Sequence, residues 1–218
     1  MSDINFDGET RFIYDSKQKQ KKITVVNTGV SAVLVQVTIE PGTADQSGGS
    51  LFMALSKSVM RVEPNERESF DVVYQGVGLP GDKESYFLLS FLEIPQQPTD
   101  GQILQIALRH RLKLFFRPAI PVDIDTAVSR FYWLRGKSSA YLKVHNDTPY
   151  YRTLTDIQLL GAQDEVCGSR VEHLMIAPLA AQTVHSSNCR GAVKKVRYTI
   201  ITDDGGMIEK TTTVNEVE

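Results

Sequence analysis

The clearest chemical pattern in the sequence lies in residues 103–118, where apolar side chains alternate and cations follow them. If this segment is a β-strand, Leu104, Ile106 and Leu108 point to one of its faces. An alternating apolar edge with cations beside it can receive a partner strand. In an arbitrary β-sandwich the same three side chains would be core residues, so the pattern alone leaves both interpretations open.

The other reactive side chains predict no catalytic site. The histidines His110, His145, His173 and His185 show no metal-ligand spacing with one another or with the cysteines. The sequence also has no nucleophile elbow of the hydrolase type. We therefore expect a protein that is not an enzyme and that uses no cofactor and no metal.

Composition limits the class of protein further. The chain has 218 residues and a formal net charge of -2, which is enough length for two small domains and gives no bias towards nucleic acid. A cluster of Lys17, Lys19, Lys21 and Lys22 could attract nucleic acid, but without interleaved aromatic residues a solvated face is the better interpretation. No apolar run could span a bilayer, and the first residues do not form a signal peptide. If the protein is exported, we expect this to be the mature form with an added initiator Met.

The sequence pattern predicts that β-strands position these residues. Short runs rich in β-branched and aromatic residues alternate with turn signals such as Leu79-Pro-Gly-Asp and Asn146-Asp-Thr-Pro. Two prolines follow the strongest strand in Arg117-Pro-Ala-Ile-Pro, which ends pairing and predicts a boundary near residue 120. We expect an all-β chain of two immunoglobulin-like β-sandwich domains, residues 1–120 and 121–218, each with about seven strands.

Several motifs, in order, resemble one known family. ALRHRLKLFFRP in residues 107–118 is similar to the end of the first domain of the periplasmic pilus chaperones of the chaperone–usher system, the PapD-like family. Gly8-Glu-Thr-Arg-Phe resembles the first strand of that family, and Asn146-Asp-Thr-Pro-Tyr-Tyr resembles a stretch of its second domain. The short segment 93–101 without cysteines resembles the short-loop subfamily.

The resemblance implies a function and a set of partners. It implies a periplasmic chaperone that binds, folds and caps pilus or fimbrial subunits by donating an edge strand, and then delivers them to an outer-membrane usher. It also implies that the two domains form a boomerang with a cleft between them. The sequence leaves open whether the free protein caps its own edge by forming a homodimer.

The resemblance also implies roles for individual residues. Arg11 and Lys113 would clamp the C-terminal carboxylate of the subunit, and the donor strand carrying Leu104, Ile106 and Leu108 would fill the subunit groove. Because Lys113 and Leu108 have opposite parity on a regular strand, we expect a bulge or bend between Arg109 and Leu112.

Two further groups of residues belong to the same set of expectations. The resemblance implies that Glu84, Arg117 and Asp203 form a charge network between the domains. Cys167 and Cys189, the only cysteines, suit one disulfide in an oxidising compartment, with two reduced buried thiols as the alternative. The periplasmic resemblance favours the disulfide.

One alternative function of another class remains. A tandem immunoglobulin-like adhesion or carbohydrate-binding module would have the same strand pattern but would bind through its loop tips. In such a module Leu104, Ile106 and Leu108 would be core residues. The exposure of these side chains, and the presence of Arg11 and Lys113 beside them, distinguishes the two functions.

Overall fold

The computed structural model describes residues 3–42, 52–94, 106–124, 130–135, 141–186, 189 and 191–216. Within these residues the chain forms sixteen β-strands, which confirms the predicted all-β class. The strands are β1 (Ile4–Asn5), β2 (Arg11–Asp15), β3 (Lys21–Asn27), β4 (Val33–Pro41), β5 (Met53–Leu55), β6 (Val59–Val62), β7 (Arg67–Tyr74), β8 (Ser85–Ile94), β9 (Arg109–Arg117), β10 (Phe131–Arg135), β11 (Tyr141–Asn146), β12 (Arg152–Leu160), β13 (Val166–Ile176), β14 (Ala180–His185), β15 (Lys195–Ile201) and β16 (Met207–Glu216).

The chain divides into two units. The first contains Met1–Gly81 and Ser85–Ala119, and the second contains Asp82–Glu84 and Ile120–Glu218. Each unit has its own cluster of buried apolar side chains. The expectation of two β-sheet domains is therefore confirmed.

The first unit contains two sheets. One has the strand order β1-β3-β7-β5, and the other has the order β2-β9-β8-β4-β6. Alternation explains how these strands form a core: in β4 the side chains of Val35, Val37 and Ile39 are buried, while the residues between them face outward. Strand β8 lies between β4 and β9 and is buried along most of its length.

The start of the chain crosses from one sheet of the first unit to the other. Strand β1 pairs with β3 in an antiparallel register, and β2 pairs with β9 in a parallel register. Between them, Asp7 and Gly8 have positive φ values of 55° and 85°. A left-handed pair of residues reverses the local direction of the chain, and glycine adopts such a φ without strain.

The second unit is built on one continuous set of pairings in the order β13-β12-β15-β16-β10-β11-β14. Its core includes Trp133, which is fully buried and lies 5.9 Å from the ring of Tyr198. Strand β12 shows register shifts against both of its neighbours. No helix in the described part of the chain is long and apolar enough to cross a membrane.

Candidate functional site

Arg11 and Lys113 lie side by side where β2 begins to pair with β9. The first pair of opposite residues in this parallel register is Arg11 and Lys113. Opposite residues on neighbouring strands direct their side chains to the same face of a sheet. The next pair, Phe12 and Leu114, is fully buried in the core, so the two cations lie on the outer face.

The environment of Lys113 disfavours its positive charge. Burial lowers the pKa of the Lys113 ammonium, and the nearby Arg11 cation lowers it further. The resulting pKa is about 8, compared with the ordinary value of 10.5. An anion placed beside both side chains would counter the repulsion and favour the charged lysine. The pair is therefore suited to bind a negatively charged group such as a carboxylate.

The edge of β9 next to this pair is open to a further strand. On one side β9 pairs with β8 from Arg109 to Phe116. On the other side β2 pairs with it only from Lys113 onward. Among the described residues no other strand pairs with that side. The stretch from Arg109 to Leu112 can therefore receive an added strand by β-augmentation.

The predicted donor residues lie just before this open edge. Ile106 is 66% exposed, so its side chain is not part of the described core. Leu108 is half-buried, and its carbonyl oxygen accepts a hydrogen bond of 2.8 Å from the Glu93 N–H. Leu104 lies outside the described residues. Where it is described, the segment directly precedes β9 and carries exposed apolar surface at Ile106.

The bulge predicted between Arg109 and Leu112 is wrong. The antiparallel register of β8 and β9 runs without a shift from Leu92 opposite Arg109 to Ser85 opposite Phe116. Lys113 and Leu108 therefore point to opposite faces of a regular strand. The pairing with β8 keeps this stretch of β9 regular, so the described strand has no bulge between Arg109 and Leu112.

The three residues of the predicted interdomain network belong to different parts of the fold. Glu84 is buried, and its Oε2 accepts a hydrogen bond of 2.8 Å from the Tyr151 N–H within the second unit. Arg117 is the last residue of β9, and Asp203 lies in the turn between β15 and β16. The network itself remains a prediction.

Cys167 and Cys189 are joined by a disulfide, and their Cα atoms are 4.9 Å apart. Cys167 lies in β13, and both cysteine side chains pack against the core of the second unit. The link ties an edge strand to a loop and so limits the conformations of the unfolded chain.

Sequence reasoning missed two features of the structure. His110 Nε2 lies 2.7 Å from Glu93 Oε1, which joins β9 to β8 by their side chains. Asn146 is fully buried, and its Nδ2 donates to the carbonyl oxygens of Tyr150 and Ala177 at 2.8 and 2.9 Å. A turn signal marked Asn146, but only the strand register shows the partner of His110.

The other charged clusters suggest no further site. Lys21 of the lysine cluster pairs with Glu9 at 3.0 Å, and Lys22 is exposed on β3. The described residues contain no group of three or more His, Cys, Asp or Glu side chains that could hold a metal ion.

Comparisons with known proteins agree with this geometry. The family of pili and flagellar-assembly chaperones, in its PapD N-terminal domain, matches residues 7–121, and the C-terminal domain of the pili assembly chaperone PapD matches residues 127–212. The chain is 31% identical to the probable fimbrial chaperone YadV of Escherichia coli (strain K12) over 96% of this chain and 89% of that protein.

Solved structures give the same result for the fold. The crystal structure of the YadV chaperone matches with a TM-score of 0.80 and 29% sequence identity, and the match covers 97% of this chain and 100% of the YadV chain. The SafB chaperone of Salmonella enterica, solved in complex with SafA pilin, has a TM-score of 0.77 and 22% identity over 98% of this chain and 97% of that one. At that identity the likeness to SafB concerns the fold alone.

Family models match both units, and a relative more than 30% identical covers nearly the whole chain. The matched family consists of chaperones rather than enzymes. The chain belongs to the PapD-like family of pilus-assembly chaperones.

Proposed function

We propose that this protein acts in the periplasm, where it binds pilus or fimbrial subunits, supports their folding and caps them by lending the edge of β9. Delivery of the capped subunit to an outer-membrane usher is part of the same proposal and rests on the family. A homodimer that covers the edge of the free protein also remains a proposal. SafB, a chaperone of the same fold, was solved in complex with SafA pilin, which is the class of partner proposed here.

The geometry of the open edge indicates how a subunit strand would lie. Strand β2 runs parallel to β9 and begins at Arg11, opposite Lys113. An added strand on the same side must therefore end before Lys113. If its C-terminal carboxylate reaches the two cations, the strand runs parallel to β9 and its last residues lie beside Leu112. The carboxylate would then fix the register of the added strand.

The register that places Arg11 opposite Lys113, beside the open edge of β9, is the observation that carries the proposal, and the lowered pKa of Lys113 agrees with it. Lys113 is half-buried and close to a second cation, and an anion beside both side chains would counter their repulsion. A subunit carboxylate would supply that anion, with charge-assisted hydrogen bonds of about 1.5–3 kcal/mol each to the guanidinium and the ammonium. The arrangement is understandable as a binding site for a carboxylate.

Apolar side chains of the donor strand would add to the affinity. Leu104, Ile106 and Leu108 would enter the subunit groove, with a gross contribution of about 1.5–3 kcal/mol for each buried side chain. Ordering of the segment and of the subunit offsets much of that gain. The exposure of Ile106 supports this proposal over the adhesion module, in which the same side chain would belong to the core.

Capture of a subunit by variants of the two cations tests the proposal. Arg11→Ala and Lys113→Ala should each stay folded and lose the subunit, because each removes one contact to the carboxylate and no core side chain. Co-purification from the periplasm after co-expression with a fimbrial subunit is the measurement. Lys22→Ala removes an exposed cation of the same unit and should retain the subunit. Normal capture by both Arg11→Ala and Lys113→Ala would disprove the assignment.

A further inference from the structure

Two exposed cations, Arg109 and Arg111, lie on the outer face of β9. The residues between and after them face the core: the ring of His110 lies 5.8 Å from that of Phe6, and Leu112 packs against the buried cluster of the first unit. Because successive side chains of a strand point to opposite faces, the two arginines project outward. Both belong to the stretch of β9 whose second edge is open to an added strand.

Arg111 already has an acidic partner within the sheet. Its Nη2 lies 3.0 Å from Glu40 Oε2. Glu40 belongs to β4, and β8 lies between β4 and β9, so this ion pair reaches across the sheet and away from the open edge. The charge of Arg111 is therefore countered without an added strand.

Arg109 has different surroundings. It is opposite Leu92 of β8, and Leu92 is opposite Gln36 of β4. Neither of these outer-face neighbours carries a charge. On the other side of Arg109 lies the open edge, where an added strand would place its own outer-facing side chains about 5 Å away. An acidic side chain at that place could pair with the Arg109 guanidinium.

A charge pair of this kind affects the choice of partner more than the strength of binding. Opposite charges at facing positions of neighbouring strands attract, and like charges repel. One such pair changes affinity by up to about fivefold, so exchange of an acid for a base at the same position should change it by about tenfold. Strands with the same apolar pattern can therefore be distinguished by the charge that they bring to Arg109.

We propose that Arg109 is a specificity-determining residue, which makes the protein prefer subunits whose last strand carries an acidic residue on its outer face beside Arg109. This inference rests on the proposed function. The partner is an extended C-terminal segment in which apolar residues alternate with polar ones, and at least one of the polar residues is Asp or Glu. A basic residue at the same place is disfavoured, because it faces a like charge.

Competition between two versions of one subunit tests the proposal. A fimbrial subunit that the parent captures is made with either glutamate or lysine at the outer-facing positions of its last six residues. The two versions refold together in the presence of limiting chaperone, and mass spectrometry of the captured fraction gives their ratio. The parent should favour the glutamate version by about tenfold at low salt. The ratio should fall at about 1 M salt, where the Debye length is only about 3 Å.

Variants of this chain assign the preference to one residue. Arg109→Gln should reduce the ratio to about threefold or less, and Arg109→Glu should reverse it, so that the lysine version is captured better. Arg111→Gln should reduce the ratio less than Arg109→Gln does, because Glu40 already counters the charge of Arg111. Lys22→Gln removes an exposed cation from the other sheet of the first unit and should leave the ratio unchanged.

The outcomes are distinguishable. A ratio that falls in Arg109→Gln and reverses in Arg109→Glu supports the role of Arg109. A ratio near one in the parent, a ratio that Arg109→Glu does not change, or an equal effect of Arg111→Gln overturns it. In those cases the proposed function still stands if Arg11→Ala captures neither version. Capture of both versions by Arg11→Ala and by Lys113→Ala would mean that the proposed function itself has failed.

Discussion

Replacement of Lys113 by methionine should make the protein more stable at neutral pH while removing its ability to hold a subunit. Methionine keeps the length of the side chain and its contacts but carries no charge. The lowered pKa of Lys113, about 8 compared with 10.5, shows that the folded state disfavours the ammonium. In Lys113→Met the folded state no longer carries the free-energy cost of a half-buried ammonium, but the proposed contact to the subunit carboxylate is lost as well.

The magnitude and the pH dependence follow from linkage. The pKa difference corresponds to about 3 kcal/mol at 1.36 kcal/mol per unit, and solvent screening around the partly exposed ammonium reduces this to about 1–2 kcal/mol. Because the folded pKa lies below the unfolded one, the unfolded chain binds more protons between about pH 8 and 10.5, so parental stability rises with pH there. The penalty is fully present below pH 8. The advantage of Lys113→Met should thus be about 1–2 kcal/mol at pH 6.5 and much smaller at pH 10.

Urea unfolding followed by far-ultraviolet circular dichroism at the two pH values is the assay. Trp133 is the only tryptophan and lies in the second unit, so its fluorescence reports the unit that does not contain Lys113. Lys143→Met, at an exposed position of β11, is the matched control and should change stability by less than about 0.5 kcal/mol. A Lys113→Met variant that is less stable than the parent, or whose advantage is the same at both pH values, would refute the reasoning.

Three other variants test the donor strand, the disulfide and a buried turn. Ile106→Asp should leave the melting temperature nearly unchanged, because Ile106 is 66% exposed. The same variant should abolish subunit capture, because it places a charge in the apolar groove of the subunit. A large drop in the melting temperature would instead support the adhesion module. Replacement of both Cys167 and Cys189 by alanine should lower the free energy of unfolding by about 3 kcal/mol, and reduction of the parent should have the same effect. Equal urea midpoints of the parent with and without reductant would contradict this prediction. Asn146→Ala should destabilise the second unit by about 2–4 kcal/mol, because it removes the side-chain amide that donates to the carbonyl oxygens of Tyr150 and Ala177. Lys143→Ala serves as the control, and an unchanged Trp133 fluorescence transition would show that these hydrogen bonds contribute little.

The sequence predicted the strands better than the contacts between them. Alternation in β4 and the prolines after Arg117 are local signals, and they were sufficient to predict an all-β chain of two units. The pairing of Arg11 with Lys113 joins residues at opposite ends of the first unit, and only the family resemblance suggested it. No local pattern reports such a register, because it depends on how the sheets assemble.

The remaining differences have the same physical origin. The parity of Leu108 and Lys113 predicts a bulge, but β8 pairs with β9 without a shift from Arg109 to Phe116 and keeps the strand regular. The bond between Glu93 and His110 depends on the β8–β9 register, which the sequence does not contain as a local signal. The grouping of Asp82–Glu84 with the second unit likewise depends on tertiary contacts, including the bond from Tyr151 to Glu84.

The turn at Asp7 and Gly8 keeps the start of the chain away from the edge of β9 that the proposed function assigns to a subunit. If β2 continued backward in its parallel register, the residues before Arg11 would pair with Leu112 and then with Arg111, and they would occupy the edge intramolecularly. The positive φ values of Asp7 and Gly8, together with the 2.9 Å bond from Arg67 to Asp7, direct the chain to β3 instead. An internal competitor has an effective concentration in the millimolar range when its linker is short. The two left-handed residues therefore disfavour pairing of the chain's own first residues with the edge that the proposed function leaves open for a subunit.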